Sequence, residues 1–141
     1  MSVTNVNSLN RSMEITQIWL KDLKEKGRFD DEGQAYSVLR SVLQTLRDRL
    51  PVGEATDLAA QLPIPVRGVF YEGWKPSSTP TDERTVDDFL TSVRKHQGDE
   101  ANVDLLHATR SVFQLLDEKV TAGEMDDVKQ SLPQDLSPLW N

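Results

Sequence analysis

The chain has 141 residues, a formal net charge of −7 and no cysteine, with 37% hydrophobic and only 6% aromatic residues. Disulfide scaffolds, thiolate nucleophiles and cysteine-ligated metal sites are therefore excluded, and the negative charge argues against nucleic acid, whose phosphates dominate such binding. No apolar run nears the roughly 20 residues of a membrane span, and the N-terminus lacks an apolar h-region, so a cytoplasmic protein with no membrane partner is expected.

In chain order, residues 1–12 are polar and expected to fray. A first helix is predicted from about Met13 to Lys26, with Ile15, Ile18, Trp19 and Leu23 near one face and Gly27 as its C′ residue. Asp30 or Asp31 can cap a second helix, in which Ala35, Leu39, Val42 and Leu46 recur at 4-3-4 spacing. A third opens near Pro51 and stops at Leu62-Pro63, since the residue before proline avoids the helical region. An irregular linker follows in WKPSSTPTDER, from Trp74 to Arg84. Thr85 then caps a helix reaching His96, with Asp88 placed for a capping box and Gly98 as its end. Leu105, Thr109, Val112 and Leu116 mark the next helix. The pattern Thr121-x-x-Glu124 predicts a capping box on the last one, which stops at Leu132-Pro133. No strand is predicted, because period-two alternation is missing.

The order contains an internal repeat. Arg40–Pro63 and Arg110–Pro133 align without gaps at an offset of 70, with ten of 24 positions identical. The same offset pairs Trp19 with Phe89 and Phe70 with Trp140, which are expected to be equivalent core plugs. The fold class that follows is all-α: two pseudo-symmetric three-helix units packed into one helical domain. Their expected bounds are 1–12 for a flexible N-terminal segment, 13–75 for the first unit, 76–84 for the linker and 85–141 for the second unit.

The stretch LRDRLPVGEATDLAAQLP, followed by RGVFYEGWKP, resembles the bacterial family known as domain of unknown function 2267. The segment WLKDL at Trp19 and the closing GEMDDVKQSLPQDLSPLW are similar to it too. That resemblance covers nearly the whole chain and implies an all-helical protein, but no activity and no catalytic residues. Ile64-Pro65 departs from the family pattern, which leaves Pro65 to Glu72 open between helix and irregular segment.

Few residues invite chemistry. His107 falls on the polar side of its helix, so a surface histidine outweighs a metal ligand, although Asp104-x-x-His107 has a usable spacing. His96 sits in a last turn, where a cation suits the helix dipole. The repeated acids Glu54/Glu124 and Asp57/Asp127 lie in first turns, where a dipole-offsetting role outweighs an acid/base set. Arg40 and Arg110 are expected to pair with acids between helices. Arg67–Trp74 concentrates three aromatics; it is read first as packing that locks the units together, and second as a partner surface using Arg67, Tyr71 and Trp74. All of the net charge of −7 belongs to residues 76–141, where acids such as Asp82-Glu83, Asp87-Asp88 and Asp126-Asp127 could attract a basic partner. The expectation is a non-enzymatic binding or adaptor module with no catalytic residue, metal or cofactor. Its partner would be a protein or a second copy of itself; the alternative is a small carrier of an apolar ligand in the seam between the units.

Overall fold

The computed structural model describes residues 3–98 and 103–141, and among them all regular secondary structure is helical. The α-helices are α1 (Asn7–Gly27), α2 (Glu32–Arg49), α3 (Val52–Ala59), α4 (Ile64–Tyr71), α5 (Val86–Gln97), α6 (Leu105–Lys119) and α7 (Ala122–Gln130). Short 3-10 segments cover Pro76–Ser78 and Gln134–Leu139. No helix among the described residues is long and apolar enough to cross a membrane.

Packing centres on α2, which lies against α1, α4, α5 and α6. Its burial runs beyond one apolar stripe and takes in Ser41, Gln44, Thr45 and Arg47. The hydroxyls of Ser41 and Thr45 donate to carbonyls four residues earlier, at 2.7 and 2.8 Å, which satisfies them inside the helix. Trp19, Leu46, Phe70, Phe89, Phe113 and Leu139 belong to one continuous buried cluster, so both halves of the chain share a single core.

The helix starts follow side-chain capping. Asp31 accepts from Gln34 N at the head of α2, and Thr85 and Asp88 close a reciprocal capping box on α5. Thr121 accepts from Glu124 N, but its own N–H donates to Gln61 Oε1 at 2.9 Å, not to Glu124. The expected box on α7 is thus half made, and the Glu124 carboxylate is left to face elsewhere.

Three expectations are corrected. First, α1 begins at Asn7, six residues ahead of Met13. Asn10 organises the entry: its Oδ1 accepts from the N–H groups of Val3 and Thr4, and its Nδ2 donates to Thr4 O. (Residues 1–2 of the expected flexible segment lie outside the described residues.) Second, Pro65–Glu72 is mostly helix, and the first half of the chain holds four helices where three were expected. Pro65 falls in the first turn of α4, where its missing N–H is not needed. The far end of α4 is held by α2, since Gln44 Nε2 donates to Val69 O at 3.0 Å and Arg47 Nη1 to Phe70 O at 2.9 Å. Third, Gly27 is not the left-handed residue that ends α1. That is Arg28, at φ 53°.

Gly27 is needed for a different reason. A Cβ built there would lie 2.2 Å from the Phe29 ring, which is buried in the core. Gly27→Ala must push that ring aside and should lower stability by on the order of 1–2 kcal/mol. A urea melt checks this. An unchanged midpoint would mean that the ring shifts without loss of packing.

Candidate functional site

Helices α3 and α7 pack together and bring the repeated acids face to face. Carboxylate oxygens of Glu54, Asp57 and Glu124 lie within 4.8 Å of one another. Both glutamates are half-buried, and Glu54 Oε1 and Glu124 Oε2 are enclosed with no hydrogen-bond donor. Burial, and then the charges of Glu54, Asp57 and Asp127, push the Glu124 carboxyl up to about 7. Burial, with Asp127 and Asp57, raises Glu54 as well. Such a set can hold a proton between helices at neutral pH, or lend three oxygens to a hard cation that takes six to eight. Sequence reading assigned these acids a helix-end role; it had no means of placing the two first turns opposite each other.

A second node joins α2 to α5. His96 Nδ1 lies 3.0 Å from Ser92 O and 3.2 Å from Thr45 Oγ1, and its Nε2 lies 3.4 Å from Asp48 Oδ2. A nitrogen facing a carbonyl must carry the hydrogen. Both ring nitrogens thus face acceptors. Burial works to raise the Asp48 carboxyl, but hydrogen bonds and charge from His96 and Arg47 outweigh it and hold the group below its usual range. His96 is therefore an interhelical clamp between α5 and α2.

His107 is exposed, as expected, yet its Nε2 lies 3.1 Å from Gly27 O and caps the end of α1. Asp104 accepts from His107 N as the N-cap of α6, so the D-x-x-H spacing is a capping spacing here. Among the described residues Arg40 and Arg110 pair with no acid. They donate to the carbonyls of His96 and Asn141, since each lies closer to a chain or helix end than to a carboxylate-bearing turn.

The expected partner-binding trio is engaged within the fold. Arg67 donates to Ala59 O, Ala60 O and Leu62 O, at and just past the end of α3. Tyr71 stacks on Trp74 with ring centroids 5.4 Å apart and meets Phe70 edge-on. All three are half-buried. Phe70 is fully buried, whereas its counterpart Trp140 is only half-buried, against Phe113. The two are therefore not equal plugs; Leu139 takes the deep position beside Trp140.

An exposed apolar surface lies on the N-terminal part of α1. Its buried residues are Thr16, Trp19, Leu23 and Gly27, all from the middle of the helix onward. The same side of the helix continues toward the N-terminus as Val6, Leu9 and Met13, which are 50%, 43% and 38% exposed. Thr16, one turn beyond Met13, lines an apolar groove with Tyr36, Leu39, Pro65, Val66 and Val69. The volume of that groove is about 80 Å³.

Residues 16–139 match a family model described as an uncharacterized conserved protein, DUF2267. No curated protein matches the chain.

Proposed function

The chain belongs to this uncharacterised family, and from that premise we propose that it is a non-enzymatic helical module that docks a protein partner on the first half of α1. One observation carries the reading: the apolar side that seats α1 in the core runs on for two further turns as Leu9 and Met13, which are 43% and 38% exposed. An amphipathic helix face beside a shallow groove is a common protein-recognition mode. The groove at Thr16 suits one aliphatic side chain. It is far below the roughly 300–1,000 Å³ of small-molecule sites. The commitment of the His96 ring and of His107 Nε2 to structural contacts supports a role without catalysis.

The reading includes an internal duplication. It is supported by elements that begin or end 70 residues apart: α1 and α5 end at Gly27 and Gln97, α2 and α6 at Arg49 and Lys119, and α3 and α7 begin at Val52 and Ala122. Lys26 pairs with Glu118, and His96 with Asp48, which is the same pair of positions exchanged between the halves. Each unit thus lends its first helix to the second helix of the other.

Leu9→Glu with Met13→Glu tests the docking face. Both side chains are already exposed, so thermal stability should change little. A stoichiometric protein cross-linked to the wild type in its host should be lost from the double variant and kept by Ile64→Glu, a control at another exposed apolar site. Equal capture by all three proteins would remove α1 as the docking surface.

A further inference from the structure

The groove at Thr16 has one more wall residue, Arg40. It stands one turn beyond Tyr36 on α2, across from Val66 and Val69 of α4. Leu39 and Val66 are 2% and 4% exposed and make the floor, while Tyr36 and Arg40 reach solvent and make a rim. Gln44, a further turn along the same face as Arg40, donates to Val69 O at 3.0 Å, which holds α4 against this side of α2. Tyrosine and arginine over an apolar slot are residue types on which protein contacts concentrate their energy.

The charge of this groove differs from that of the other clefts. Arg40 is the one charged residue among those described as lining it. Acids stand in the walls of the two clefts along α5 and of the one at Lys21 on α1. Among the described residues Arg40 meets no carboxylate, and its one hydrogen bond is long, from Nη2 to His96 O at 3.3 Å. A guanidinium is a planar fork of N–H donors, and the acceptor that fits two of them at once is a carboxylate.

We propose that this groove docks an acidic protein segment: an aliphatic side chain of the partner fills the slot, and a neighbouring carboxylate is taken by Arg40. The inference rests on the α1 reading and gives that partner its chemistry, since Leu9 and Met13 extend the apolar contact and Arg40 supplies the charge. The net charge of −7 lies outside residues 1–75, which hold α1, α2 and α4. At long range it favours a basic ligand over an acidic one. A preference for acid must therefore come from the groove itself.

The test is titration of the ¹⁵N-labelled full chain, at physiological salt, with three blocked helical peptides. They share one leucine stripe and carry glutamate, glutamine or lysine beside it. The glutamate peptide should bind about fivefold more tightly than the glutamine one, and the lysine peptide most weakly. Saturable amide shifts should centre on Thr16, Leu39, Arg40, Val66 and Val69. Arg40→Gln should erase the difference between the glutamate and glutamine peptides, and Arg40→Lys should restore part of it. If Arg40→Gln does not fold, the order of the three peptides on the wild type decides alone. Equal affinities at the groove, or a preference for lysine, would overturn the acidic partner and leave the α1 surface standing. Full affinity for the glutamate peptide in Leu9→Gln with Met13→Gln would retire the α1 surface and keep the groove. Binding of no peptide would overturn the proposal. So would groove shifts that follow protein concentration alone, which would give the groove to a second copy.

Discussion

Arg47→Met should lower stability by about 3–5 kcal/mol, because it removes one partner from a buried charged network. Arg47 is 3% exposed. Its guanidinium donates to Phe70 O, to Glu72 O at 2.7 Å and to Asp48 Oδ1 at 2.8 Å. Methionine matches the volume of the stem but leaves these acceptors without their donor. A urea or thermal melt measures the loss. Arg11→Met on exposed α1 is the comparison, and should cost at most about 0.5 kcal/mol, as a surface pair does. If Arg47→Met cost as little as Arg11→Met, water would be replacing the guanidinium at the end of α4, and the account of that helix would be wrong.

Under the proposed duplication, the same position accounts for a difference between the two halves. Seventy residues on, Arg47 becomes Asp117, which is exposed and pairs with Lys129 at 2.8 Å. No buried guanidinium then reaches over the C-terminal segment. That segment carries Pro138 inside it and forms a 3-10 turn over Gln134–Leu139, where the first half has α4. An eight-residue helix is marginal on its own. Here its last carbonyls are held by α2 in one half and not in the other.

Local chemistry was legible in the sequence and long-range placement was not. Apolar spacing in α2 and α6, the Thr85–Asp88 box and the breaks at Leu-Pro are encoded within a few residues, so they could be read directly. Gly27 shows the limit: its glycine was noticed, but the reason is the Phe29 ring, a packing contact with no sequence signature. Arg47 in RDR carries no local signal of its burial, because burial of a cation depends on which carbonyls arrive beside it. The 70-residue offset did hold a usable signal for the candidate site. Had Lys26 and His96 been compared with Glu118 and Asp48 as exchanged partners, the crossing of the halves could have been anticipated. The meeting of Glu54 with Glu124 needed one step more, the contact of α3 with α7.

That meeting gives a prediction in which two physical effects have opposite signs. If the first-turn acids chiefly offset helix dipoles, Glu124→Gln should destabilise by about 0.3–1 kcal/mol. If enclosure and mutual repulsion dominate, as the raised carboxyl indicates, the same change should stabilise the protein at pH 8, by roughly 2 kcal/mol once exposure is allowed for. A carboxyl whose folded pKa lies above the unfolded value of 4.5 binds its proton more tightly in the fold. Its contribution is fully present below about pH 4.5 and is lost as pH rises through about 7. Glu54, raised by the same causes, adds to the fall. Asp48 and Asp88 are shifted the other way, so their contribution disappears only in more acidic solution. Melting temperature should therefore peak near pH 5 and drop by several degrees by pH 8, at about 2–4 °C per kcal/mol for a chain of this size. In Glu124→Gln most of that slope should vanish, with the variant and the wild type agreeing near pH 5 and separating above pH 6. A variant less stable than the wild type at pH 8 would return these acids to helix-end duty. A stabilised variant with a flat profile would establish that the chain keeps an unfavourable cluster of carboxylates where its two halves meet.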